Sequence, residues 1–324
     1  MTLSVPNTKA GHSLSTDEFD AIYAECSNWA KWGPDDQRGT LNYVTPAKVA
    51  EAARLVRDGR AISLQLPMDE NGPQTGAFGR YNPIHHMLVS GADHVAGTEP
   101  SPLGFGYADD SLFLFLQGGT QWDALSHIFR DGRMYNDFPA NQVSSRGAGA
   151  LGIERNPTLV SRGVLLDLVA VLGQPMSPGD VVLPQLLDDA CDHAGTTVGQ
   201  GDIVLIRTGD MLARRGAPGW GGFSLGDAPG LSLRSARWLA ERGVAAVATD
   251  TWGVEVRPNE IAGAFQPMHL VLIVSMGLHL GEIWDLDELA ADCAADGRYE
   301  FMLVAPSLRI TGAVGSPTNP QAIK

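Results

Sequence analysis

The sequence is poor in cysteine and in positive charge, and has no apolar run long enough to cross a bilayer. Its three cysteines, Cys26, Cys191 and Cys293, are widely separated and odd in number, which argues against a disulfide scaffold and a compact cysteine zinc motif. The 23 Lys and Arg stand against 37 Asp and Glu, for a formal charge of −14. Phosphate recognition draws on concentrated positive surface, so no nucleic-acid partner is expected. The first residues, MTLSVPNTKAGHSLSTDEF, lack the apolar centre of a secretory signal. With no spanning segment either, the expectation is a cytoplasmic protein without a membrane partner. The patterns GxxxxGK[ST] and HExxH are absent and no convincing dinucleotide-binding GxGxxG occurs, which lowers the case for those chemistries.

What is present points to an α/β chain. At 324 residues with 44% hydrophobic content, the length allows one large domain or two modest ones. No internal repeat or long linker divides it. The expected organisation is an N-terminal arm over residues 1–40, packing on a partner or on the main domain, followed by one catalytic domain over residues 41–324. The 38 glycines and 20 prolines imply shaped loops around the regular elements.

Thr45 and Pro46 open a predicted helix that Gly59 stops. Strands are expected from Ala61 to Leu66, over HHMLVS, as a buried SLFLFLQ from Ser111 to Gln117, and over GVLLDLVAV, DIVLIRTG, VAAVATD and FMLVA. The Gly-rich stretch before His85 suits a lid. LSLRSARWLAERG and the Leu-Ala segment after Asp285 or Asp287 read as helices.

The densest polar cluster is QGGTQWDALSHIF, just beyond the apolar run. On one helical turn Asp123 and His127 would share a face, as metal ligand and proton carrier, or as a helix cap beside a core histidine. Gln121 can hold a substrate carbonyl or amide. A second pair, His269 and Glu282, encloses LVLIVSMGLHLG, and a helix followed by a turn would bring its ends into one cavity. Glu282 sits among apolar residues, where an unpaired carboxylate is costly unless it meets a cation or proton. It could instead cap the next segment.

TDTWGVEVRPNE follows a predicted strand, where active-site loops commonly lie. Trp252 could stack on a flat substrate, while Asp250 or Glu255 could orient an imidazole or pair with Arg257. Of the adjacent His85 and His86, at most one would enter a shared pocket. GFSLG matches Gly-x-Ser-x-Gly around Ser224, but without the strand and helix that form a nucleophile elbow.

GGTQWDALSHIF, GDIVLIRTG, GVAAVATDTWGVEV and HLVLIVSMGLHLGEIWDLDELA, in this order, resemble the metal-dependent cyclase family that includes arylformamidases (kynurenine formamidase) and isatin hydrolases, especially its longer members. The resemblance implies a swivelling β/β/α fold and a homodimer or homotetramer. It also implies a small-molecule substrate and one divalent metal ion, manganese or zinc. The family pattern His-x-Gly-Thr-His-x-Asp-x-x-x-His meets Gln117-Gly118-Gly119-Thr120-Gln121-Trp122-Asp123-Ala124-Leu125-Ser126-His127, so both early histidines are replaced by glutamine.

By resemblance Asp123, His269 and Glu282 are the metal ligands, with Gln117 a further candidate, and His127 transfers protons beside Gln121. Trp122, Trp252, His86 and Asp250 are the expected substrate contacts. The implied activity is hydrolysis of a small cyclic or aryl amide, imide or lactone. A non-hydrolytic cyclase, dehydratase or isomerase, or an inactive binding protein, stands as the alternative.

Overall fold

The computed structural model describes residues 12–97 and 101–324. Its centre is a nine-stranded mixed sheet. In chain order the strands are β1 (Ala61–Ser63), β2 (Gln121–Asp123), β3 (Val160–Asp167), β4 (Ile203–Arg207), β5 (Ala246–Thr249), β6 (His279–Glu282), β7 (Glu300–Val304), β8 (Gly315–Pro317) and β9 (Gln321–Ile323). Across the sheet they run β1-β9-β7-β3-β4-β5-β6-β2-β8. The four central strands, β3 to β6, are parallel, and the outer pairings are antiparallel.

The continuous apolar runs noted in the sequence become strands buried on both faces, as parallel strands must be. Val164, Leu166, Val204, Ile206 and Val247 enter one core, while Leu165, Ile203, Leu205, Ala246 and Ala248 enter the other. Helices Pro184–Ala194 and Ser235–Glu241 cover the first face. Helix Asp287–Asp296 contributes Leu289 and Cys293 to the second. The result is an α/β fold with helices on both faces of the sheet.

Several boundaries differ from the sequence reading. Thr45 does cap its helix, accepting a hydrogen bond from Lys48 N, but the helix ends at Ala53, well before Gly59. The run SLFLFLQ is not a buried strand. Only Asp109–Phe113 is extended, and it pairs with Ile84–Val89 in a separate hairpin whose strands are almost wholly exposed. Hydrophobicity alone predicted burial, whereas this strand has no place in the central sheet.

The first eleven residues of the expected N-terminal arm lie outside the described residues. Helix Thr16–Glu25 buries Phe19 and Ile22 in the first core, and Trp29 Nε1 donates to Val274 O at 2.7 Å. Cys26, Cys191 and Cys293 are free and buried. Among the described residues no helix is long and apolar enough to cross a membrane.

Candidate metal centre

Alternation along β2 sets the first part of the site. Gln121 and Asp123 share a face, and Trp122 points through the sheet to the other side. There Trp122 meets Trp284 edge to face and donates to Ala305 O at 2.9 Å. It belongs to the core, which corrects its expected role against substrate. On the opposite face Gln121 Nε2 donates to Glu282 Oε2 at 2.9 Å and approaches Asp123 Oδ1 at 3.4 Å.

Helix Pro267–His269 continues as a wider helical turn through Leu270–Ser275, and the chain then reverses into β6. Thirteen residues of separation thus close into one contact, His269 Nε2 to Glu282 Oε1 at 3.0 Å. Gly281 permits this closure because a Cβ there would lie 2.6 Å from Ala248 Cβ and 2.9 Å from Trp122. Ile283 follows at φ +60°, a strained setting for a β-branched residue. It is fixed by hydrogen bonds from Ile283 N to Thr251 O and from Thr120 Oγ1 to Ile283 O.

Asp123, His269 and Glu282 each offer a ligand atom within 4.8 Å of the others, and all three are buried. Glu255 backs them, with Oε2 2.7 Å from His269 Nδ1. Burial would pull the His269 imidazole down, but the Glu255 and Glu282 carboxylates override it and hold the ring well above its usual pKa. Burial lifts the Asp123 carboxyl to about 6, with repulsion from Glu282 adding to it and His127 opposing. His127 follows β2 on a turn and not on the expected helix, its Nε2 3.9 Å from Asp123 Oδ1. Burial lowers its pKa, so the ring favours the neutral form.

The donor set fits a divalent cation. Asp123 Oδ2 and Gln121 Oε1 are buried without hydrogen-bond partners, an arrangement that costs free energy unless a cation or further ligand satisfies it. Two carboxylates and an imidazole are ligands shared by zinc and manganese sites.

His269 and Glu282 of the cluster line a cavity of about 180 Å³, together with Phe78, Arg80, His127, Trp252 and Phe265. Phe78 stacks on Trp252 with centroids 6.1 Å apart, and the Arg80 guanidinium lies near both rings. Phe78 and Arg80 come from the Gly-rich segment read as a lid; Phe78 and Phe265 carried no sequence signal beyond their aromatic character.

Other expected site residues lie elsewhere. Asp250 does not face the cavity, because its carboxylate accepts hydrogen bonds from Thr208 N, Thr208 Oγ1 and Gly209 N. His86 lies exposed on the separate hairpin, and neighbouring His85 pairs with Asp110. Gln117 lies beside the strand that pairs with Asp123. Its buried Nε2 has no hydrogen-bond partner and lies against Gly315 of β8. Ser224 Oγ donates to Pro73 O, which leaves no elbow for a nucleophile.

A crystal structure described as that of a novel cyclase is 41% identical, with a TM-score of 0.87 over 93% of this chain and 99% of that one. Isatin hydrolase A from Ralstonia solanacearum is 20% identical, with a TM-score of 0.59 over 86% of this chain and 95% of that one. Isatin hydrolase A from Labrenzia aggregata, bound to benzyl benzoate, is 18% identical, with a TM-score of 0.54 over 82% and 94%. Those two likenesses concern the fold. No curated protein matches the sequence. The Cyclase family model matches residues 27–256, and with the 41% identical structure it establishes that the chain belongs to the Cyclase family.

Proposed function

We propose that the protein is a metal-dependent hydrolase of a small cyclic or aryl amide, imide or lactone. The carrying observation is the buried Asp123, His269 and Glu282 cluster, of which His269 and Glu282 line the same cavity as His127. A buried ligand cluster on a cyclase fold supports hydrolytic chemistry in general; the substrate class rests on the family resemblance.

Asp123, His269 and Glu282 would hold one manganese or zinc ion. Bound there, a divalent cation lowers the pKa of water and polarises a carbonyl. His127, kept neutral by burial, takes a proton at Nε2 and returns it to the leaving nitrogen or oxygen. Glu255 holds His269 Nδ1 and so aims Nε2 at the cluster. Gln121 Nε2 donates to Glu282 and Asp123 and so positions both carboxylates, while Trp252 with Phe78 provides a flat apolar wall. The same resemblance makes a homodimer or homotetramer the expected assembly.

A second reading is a non-hydrolytic cyclase, dehydratase or isomerase, or a binding protein without catalysis. It is favoured by the Gln121 amide, whose bonds to Glu282 and Asp123 occupy carboxylate lone pairs that an imidazole would leave to a cation. Metal analysis with a hydrolysis screen on aryl amides and lactones separates the two. One ion per chain and loss of hydrolysis on chelation support the hydrolase. A protein that binds no added manganese or zinc overturns it.

A further inference from the structure

The cavity beside the ligand cluster carries a cation that no carboxylate answers. Arg80 belongs to its lining, and the guanidinium makes one hydrogen bond among the described residues, from Nη1 to Gln117 O at 3.3 Å. Among those residues no carboxylate lies within ion-pair distance of it, although the chain holds 37 Asp and Glu against 23 Lys and Arg. Its Cζ lies 5.8 Å from the Phe78 centroid and 5.7 Å from that of Trp252. Both distances are close to the outer limit of about 6 Å for cation–π attraction, so the rings alone do not account for the charge. Glu282, the carboxylate in the same lining, has both oxygens engaged, Oε1 by His269 and Oε2 by Gln121. Trp252 adds a second unanswered donor: the residue is 3% exposed and its Nε1 is buried without a hydrogen-bond partner. Arginine and tryptophan side chains donate and never accept, and a buried donor left unpaired is costly. The lining thus favours a ligand that accepts.

We infer that Arg80 recognises an anionic group, a carboxylate or its equivalent, on a single-ring substrate that packs against Phe78 and Trp252. Those two rings are within 15° of parallel, and Phe265 stands edge-on to Phe78 at 5.6 Å between centroids. Flat faces of this kind suit a planar ring. The cavity volume of about 180 Å³ lies below the roughly 300–1,000 Å³ of sites for drug-sized ligands, which limits the occupant to about one ring and its substituents. An arginine fork matches the two oxygens of a carboxylate, and such charge-assisted pairs are stronger than neutral ones. The Arg80 charge also reaches the reacting groups, lowering the pKa of both Asp123 and His127. An amide, imide or lactone of the proposed class would therefore carry an acid group separate from the bond that is cut. For that bond the inference rests on the hydrolase reading; for the anion it rests on the cavity alone.

The test is calorimetric titration of the full chain with benzoate, benzenesulfonate and benzamide, flat probes of which the first two are anions and the last is neutral. The wild type is expected to bind both anions about tenfold or more tighter than benzamide, with the preference falling as salt is raised. Arg80→Gln is expected to keep its circular dichroism and to bring the preference down to about twofold or less, the loss being confined to the anions. Arg80→Lys, which keeps the charge but not the fork, should retain part of the preference. If Arg80→Gln fails to fold, Arg80→Met provides the same readout. Equal affinity for all the probes, or an anion preference that survives in the folded variant, would overturn the inference. So would a preference for benzoate without benzenesulfonate, the pattern that ligation of a metal by the carboxylate gives. Manganese and zinc binding on the same samples separates the two readings. Metal binding without anion preference leaves the hydrolase standing and removes the inference; anion preference in a protein that binds neither metal overturns the hydrolase and keeps Arg80 as the anion contact.

Discussion

Glu255 Oε2 lies 2.7 Å from His269 Nδ1 while the other ring nitrogen of His269 faces Glu282. The ring is thereby oriented and charged by the carboxylate behind it. Replacing Glu255 with Gln keeps the size and removes the charge, so manganese and zinc affinity should fall about 10- to 100-fold. Calorimetric titration of both metals checks this; unchanged affinity would deny Glu255 a positioning role.

The same geometry gives a pH dependence with a definite sign. His269 is held protonated above its usual range, and a ligating nitrogen must lose its proton. Metal affinity should therefore rise with pH from mildly acidic to mildly alkaline conditions, with proton release on binding measurable in two buffers of different ionisation enthalpy. Flat affinity across that range would mean that His269 Nε2 is not a ligand.

Asp123 and His127 should separate binding from turnover. Asp123→Ala is expected to lose both metal retention and hydrolysis. His127→Ala should retain the metal and lose about 10²- to 10⁴-fold in turnover. Metal analysis beside steady-state kinetics distinguishes them, and equal metal loss in both variants would contradict the division of roles.

The strands and ligand triad were readable because they leave local or ordered signals. Val164 to Leu166 and Ile203 to Ile206 are apolar at every position, which marks strands buried on both faces. Asp123, His269 and Glu282 fall within recognisable motifs. Side-chain direction was less readable. One residue of register separates Trp122 in the core from Gln121 and Asp123 at the site, and Asp250 is consumed by Thr208 and Gly209 at the end of the adjacent strand. Phe78 and Phe265 reach the cavity through loop geometry that no periodicity encodes. The exposed Phe113 strand misled because its hydrophobicity is not answered by burial within this chain.

By the sequence resemblance Gln121 falls at a histidine of the family pattern, and on that reading Gln121→His should move metal preference toward zinc. Imidazole is the better zinc donor, whereas amide oxygen suits manganese. The change would also remove the Nε2 hydrogen bonds to Glu282 and Asp123. Competitive titration should show zinc gaining relative to manganese by at least tenfold; an unchanged ratio would mean that position 121 does not reach the ion.

His279 supports the site from beneath. Its Nδ1 donates to Asp123 O at 2.9 Å and Nε2 accepts from Asn156 Nδ2 at 3.2 Å. Burial lowers its pKa from 6.5 to about 4. A depressed folded-state value contributes stability that is fully present above the unfolded pKa and is lost as pH falls through about 4. The magnitude is about 3 kcal/mol. His279→Gln preserves a donor and an acceptor without a titrating ring. Chemical unfolding at several pH values from 7 to 4 should therefore show a shallower acid loss in the variant. Equal slopes would mean that protonation of His279 is not what loosens the strand carrying Asp123.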